Sequence, residues 1–199
     1  MTQPPLTLRR WKRVEYERLV DLCLFQSDPV ELIGGQVVVA EPQSSYHATV
    51  VGAADDALRA ILPPGWIVRA QMPVALDDES APEPDLVVVP GIRADYRESH
   101  PARPALAVEV ADSSLAFDRE HKGSLYARAG VPDYWIVNLI DRLLEVCIAI
   151  HGRTRRRPTD GGTDRWRHEC LRPSSSPSRF RQRRSRSPIC CRSCSRNQE

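Results

Sequence analysis

The chain is almost without lysine: of its 28 basic residues only Lys12 and Lys122 are lysines, the rest being arginines. It also lacks any apolar run long enough to span a bilayer. The N-terminal stretch MTQPPLTLRRWKRVEY lacks the apolar core of a secretory signal. These absences set a cytoplasmic protein as the expectation. Disulfides are not expected in the body, where Cys23 and Cys147 stand alone in apolar settings and read as core thiols. What remains is a chain of 199 residues, enough for one domain with a hydrophobic core.

The formal net charge of +2 conceals two unlike segments. Residues 1–150 carry 14 basic and 22 acidic residues, a net charge of −8. Residues 151–199 carry 14 arginines and 4 acidic residues, a net charge of +10. The acidic part has periodic apolar residues throughout; the basic part has neither a period of 2 nor one of 3.6. The expected division is a folded domain over 10–150 and an Arg/Ser/Pro/Cys-rich tail over 151–199. The tail has too little apolar surface to offset ordering entropy, so disorder is expected there.

Within the domain, 10–22 reads as a short helix with Trp11, Val14, Arg18 and Leu22 in a row. ELIGGQVVVA (31–40) reads as a hairpin about Gly34-Gly35. Residues 45–61 form an amphipathic helix whose face carries Val50, Ala54, Ala57, Leu58 and Ile61, stopped by Pro63-Pro64-Gly65. A strand follows over 66–76, then a polar loop over 77–84. DLVVVP (85–90) and PALAVEVA (104–111) are short, nearly continuous apolar runs, the pattern of buried central strands. A helix over 117–129 ends at Gly130 and Pro132, and strands at 133–139 and 143–150 flank a turn at Ile140-Asp141-Arg142. The expected class is α/β, with a mixed central sheet flanked by helices.

Two carboxylates sit where carboxylates are costly. Asp85 opens one buried run, and Glu109 lies inside the other. Strand alternation places Ala105, Ala107, Glu109 and Ala111 on one face, opposite Leu106, Val108 and Val110. Glu109 therefore points across small side chains, with room for a ligand. Two such carboxylates suit a hard cation, Mg²⁺ or Mn²⁺, able to activate water and steady the charge on a phosphate. Lys122 shares a helical face with Tyr126 and Ala129. That face points it toward the carboxylates, unless it snorkels along the helix flank. Glu31 and His47 are accessory candidates, against the alternatives of a solvated strand-start glutamate and a capping or surface histidine.

These pieces in this order resemble a known family. ELIGGQVVV, SSYH before a helix, PEPDLVVVP, LAVEVADSS and FDREHKGSLYARAGVPDYWIVNL are similar to the Uma-type (Uma-two) restriction endonucleases of the PD-(D/E)XK superfamily. The resemblance covers about residues 15–150 and is most specific from Glu109 to Leu139. It implies a restriction-endonuclease-like core. It maps the two metal-binding acids onto Asp85 and Glu109, and the accessory acid of the hairpin onto Glu31. The superfamily lysine would stand at position 111, where this chain has Ala111; the resemblance implies that its role has moved to Lys122. It also implies a Mg²⁺-dependent endonuclease acting on DNA, with a homodimer expected by analogy. The rival expectations are a catalytically decayed member that at most binds nucleic acid, and a metal-dependent hydrolase of another kind. For the tail, three readings stand: phosphate binding by its arginines, a zinc site from His168, Cys170, Cys191 and Cys194, and text from a shifted reading frame or a degraded gene.

Overall fold

In the computed structural model the described residues are 7–25, 28–149 and 166–171; for 149 and 166–171 the description is of the backbone alone. Helix α1 (Arg13–Asp21) leads into a hairpin of β1 (Val30–Ile33) and β2 (Gln36–Val39). Helix α2 (Ser45–Ile61) and strands β3 (Trp66–Ala70), β4 (Leu86–Pro90) and β5 (Leu106–Ala111) follow. A helical crossover then runs through α3 (Leu115–Phe117), a π-helical turn at Asp118–Lys122 and α4 (Gly123–Arg128). Strands β6 (Asp133–Asn138), β7 (Leu143–Ala149) and β8 (Trp166–Leu171) complete the order. No helix among the described residues is long and apolar enough to cross a membrane.

The main sheet has the order β3-β4-β5-β6-β7-β8. Among the described strands only the β5–β6 pair is parallel, and the crossover that a parallel pair demands is the helical segment carrying Lys122. Alternation along the strands sorts the core onto two faces. Val87, Val89, Ala107, Ala111, Tyr134 and Ile136 pack with Leu115 and Tyr126 of the crossover. Leu86, Val88, Leu106, Val108 and Val110 pack on the other face with Val51 and Leu58 of α2. The helix–sheet–helix layering expected from the sequence is present, and the alternation of 105–111 falls on the two faces as expected.

The hairpin turn sits at Gly34 and Gly35, with φ of 55° and 78°. A tight turn of this hand needs positive φ at both central residues, which glycine adopts without steric cost. The hairpin is fastened beside the main sheet by a bridge between Leu32 and Ala81 and by Tyr16 of α1, whose hydroxyl donates to Val30 O at 2.6 Å.

Several local expectations need correction. The strand expected over 66–76 stops at Ala70, because Gln71 turns the chain through a left-handed conformation (φ 51°). The row Val14, Arg18 and Leu22 faces solvent, and Tyr16 is the residue that α1 buries. On α2, Ala57 and Ile61 are exposed while Val51 is buried, so the packed face is rotated from the one expected. Cys147 is a core thiol, but Cys23 is exposed: it follows the end of α1 at φ 54°, which turns it outward. Finally, Trp166–Leu171 adds a strand in a segment where no strand pattern was expected. Main-chain pairing with β7 requires no apolar period, so hydropathy does not signal it. Of the zinc reading, His168 and Cys170 fall on β8, described by its backbone alone, while Cys191 and Cys194 and the other tail readings lie outside the described residues.

Candidate active site

The site assembles at the end of β4 where the chain enters the sheet. The β4–β5 register pairs Leu86 with Val108, and one residue further it sets Asp85 opposite Glu109. Both side chains fall on the face covered by the crossover helices. Asp85 Oδ2 accepts the Val110 amide at 2.8 Å, and Oδ1 accepts Gln71 Nε2 at 3.4 Å. Glu109 is only 3% exposed. Its Oε1 accepts the Tyr126 hydroxyl at 2.8 Å and lies 3.2 Å from Lys122 Nζ, which leaves Oε2 for a further ligand.

Lys122 is buried and bridges two carboxylates, with Glu31 Oε1 also 3.2 Å from Nζ. Glu31 in turn accepts the Glu83 amide through Oε2 at 3.0 Å, which ties the hairpin to the loop leading into β4. The π-helical turn accounts for the aim of Lys122. In a regular α-helix, residues four apart drift by about 40° per step. One wider turn lessens that drift across Asp118, Lys122 and Tyr126, so all three face the sheet. Asp118 is itself buried; its Oδ2 accepts the Ser114 hydroxyl at 2.6 Å.

His47, in the first turn of α2, reaches the same centre from the opposite layer. Ser44 caps the helix by accepting the His47 amide at 3.1 Å. The imidazole Nε2 lies 2.7 Å from Val110 O and 3.4 Å from Asp85 Oδ2. The imidazole is therefore engaged with Val110 and Asp85 rather than free at the surface. All five residues singled out in the sequence, Glu31, His47, Asp85, Glu109 and Lys122, thus converge. Asp118, Tyr126 and Gln71 were missed as site residues. For Asp118 and Tyr126 a signal existed: their spacing of four residues on either side of Lys122 marks one helical row.

The electrostatics are those of a site strained by its own charge. Burial pushes the Glu109 carboxyl well above its ordinary range; Lys122 opposes this, while Asp118, Asp85 and Glu31 add to it. Asp118 is raised for the same reason, burial first, against Lys122 and the Ser114 hydroxyl. The Lys122 ammonium is held above its usual value even though burial alone would lower it, because Glu109, Glu31 and Asp118 surround it. For Glu109 the consequence follows from linkage. Its contribution to stability is complete below about pH 4.5 and is lost as pH rises through the higher folded value. Glu109→Gln, which fixes the neutral form, is expected to raise the melting temperature, and the gain is expected to grow from pH 5 to pH 8. Thermal melts across that range check it; a loss of stability at pH 8 would show that the pairing of Glu109 with Lys122 outweighs the burial of its charge.

An open cleft of about 690 Å³ lies among Arg10, Lys12, Asp77, Asp78, Glu79 and Arg128. Its charges are largely satisfied by one another: Arg10 and Lys12 pair with Glu79, and Arg128 with Asp77. The buried carboxylates around Lys122 carry the larger unbalanced charge.

No curated protein matches the chain. A crystal structure described as "a putative nuclease belonging to DUF820" from Anabaena variabilis superimposes with a TM-score of 0.51 at 14% identity, covering 71% of this chain and 75% of that one. At that identity the likeness is one of fold. A family model described as "Uma2: Putative restriction endonuclease" matches residues 14–176, a span that contains every residue of the site, and the chain belongs to that family.

Proposed function

We propose that the protein is a metal-dependent endonuclease that hydrolyses DNA phosphodiester bonds, acting in the cytoplasm. Family membership supports a nuclease function. The observation that carries the finer reading is the buried Lys122 held between Glu31 and Glu109, with Asp85 beside them. On this reading Lys122, on the crossover helix, takes the role of the lysine that the resemblance would place at position 111.

The donor set fits a hard divalent cation. Asp85 and Glu109 offer carboxylate oxygens and Val110 a main-chain carbonyl, the ligand types that Mg²⁺ and Mn²⁺ prefer. Among the described residues no three His, Cys, Asp or Glu side chains gather as a metal-binding group, so two carboxylates would need the carbonyl and water to complete a cation's shell. The raised Glu109 carboxyl is a group that a cation would relieve. Such a cation supplies a water of lowered pKa and positive charge at the scissile phosphate.

The protein's own residues perform the rest. The Val110 amide fixes Asp85, and Tyr126 fixes Glu109, so both carboxylates are aimed before substrate arrives. Lys122 places a permanent ammonium beside them and stabilises charge that develops on the phosphate. Glu31 holds Lys122 from the far side, and His47 holds the Val110 carbonyl.

The reading is tested by incubating purified protein and plasmid DNA with Mg²⁺, Mn²⁺ or EDTA. Nicking or linearisation that requires the cation is expected; cleavage that persists in EDTA overturns the metal requirement. Tyr126→Phe, which removes the hydroxyl and little else, is expected to weaken Mg²⁺ affinity or activity by about 10–100-fold, as for other outer partners of metal ligands. Cleavage kinetics at varied Mg²⁺ check this; unchanged kinetics would leave Tyr126 as a packing residue.

A further inference from the structure

A centre of four buried carboxylates repels the polyanion it is proposed to cut, and nearby cations that could attract it are already engaged. Lys122 is committed to Glu31 and Glu109, Arg119 to Glu145, Arg128 to Asp77 and Arg13 to Glu17. Arg93, Arg97 and Arg103 of the 91–105 loop also lack an ion pair among the described residues but are exposed, whereas Arg69 on β3 is half-buried. Among the described residues it has no carboxylate partner, and its Nε is buried without any hydrogen-bond acceptor. Its guanidinium stacks 5.4 Å from the centre of the Tyr96 ring, and one terminal nitrogen donates to His100 Nδ1 at 3.5 Å. Neither contact neutralises its charge.

The position of Arg69 is set by register. Arg69 pairs with Val87, and Asp85 lies two residues before Val87 on the same strand face. At about 3.3 Å per residue, the Arg69 backbone is one side-chain step, roughly 7 Å, from the level of Asp85. Gln71, two residues after Arg69, already touches Asp85. Ile67 and Tyr96 pack on the face shared by Val87 and Val89, which places Arg69 on the site side of the sheet. A half-buried guanidinium that gives up water and gains no counter-ion costs free energy, and a planar fork of this kind matches the oxygens of a phosphate.

We propose that Arg69 is a phosphate-binding residue of the site and holds a backbone phosphate flanking the scissile one. The inference rests on the nuclease reading. The Tyr96 ring and His100 Nδ1 hold the guanidinium in place, and its remaining N–H groups have no acceptor of opposite charge.

The test is cleavage and equilibrium binding of a fluorescein-labelled DNA duplex by the full chain, over about 50–200 mM salt. Arg69→Gln is expected to weaken binding and raise KM on the order of tenfold, with a smaller change in kcat. It is also expected to reduce the slope of log affinity against log salt by about one. Arg69→Lys keeps the charge and is expected to keep the wild-type slope with a smaller rise in KM, which also controls for folding. Arg142→Gln, on the exposed turn between β6 and β7, is expected to behave as wild type. If Arg69→Gln leaves KM and slope unchanged while cleavage still requires Asp85, Arg69 is only a clamp on the 91–105 loop; the inference fails and the nuclease stands. If wild-type protein neither binds nor cuts DNA, both fail together.

Discussion

Lys122→Met is expected to cost about 3–5 kcal/mol of stability at neutral pH, the usual penalty for leaving buried charge without its partner. For a domain of this size that is a fall of roughly 10 °C in Tm. Methionine fills most of the lysine's volume, so the loss is electrostatic rather than a cavity. Glu31 and Glu109 each lie 3.2 Å from the ammonium, and both are buried. The sign of the effect follows from its pH dependence. The ammonium's own contribution is complete below about pH 10.5 and fades only as pH rises through its higher folded value, so wild type keeps it throughout the neutral range. In the variant, Glu109 must shed the cost by taking up a proton. Its carboxyl is already raised, so acid makes that uptake easier. The stability gap between wild type and variant should therefore be large at pH 8 and smaller at pH 5. Calorimetric melts at both values measure it; an equal gap, or none, would mean that Lys122 is not charged in the folded protein.

Asp85→Asn and Glu109→Gln are expected to lower the rate of DNA cleavage by about 10²–10³-fold each, while the proteins remain folded. The two losses arise differently. Asp85→Asn keeps a side-chain oxygen for the Val110 amide, so the strand end is preserved while the negative charge is lost. Glu109→Gln keeps a side-chain carbonyl for Tyr126 and removes the charge that burial opposes most. Glu109→Gln should thus be the more stable protein and the poorer enzyme, a combination expected of a functional residue and not of a structural one. Because both residues serve one centre, the double variant should lose much less than the product of the two single losses.

Much of this centre was legible in the sequence because strand physics is simple. A carboxylate in the middle of LAVEVA has to point to one face or the other, and alternation with Ala107 and Ala111 fixed which. The apolar runs marked β4 and β5 as central, and Gly34-Gly35 marked the hairpin. Other parts depend on information that no single segment carries. His47 looks like any polar residue near a helix start; its meaning comes from Val110, 63 residues away. The π-helical turn leaves no mark in hydropathy, yet it brings Asp118, Lys122 and Tyr126 to one side. Arg69 resembles the chain's other arginines until its half-buried place on β3 and its unpaired Nε are known. Strand β8 is held by main-chain pairing and so had no side-chain period to reveal it.

The central claim is that Asp85 and Glu109 together hold a divalent cation beside Lys122. Isothermal titration of Mg²⁺ into the wild-type protein and into the Asp85→Asn/Glu109→Gln double variant tests it most directly. One saturable site is expected in the wild type and none in the variant. Equal binding in both proteins, or none in the wild type under conditions where it cuts DNA, would contradict it.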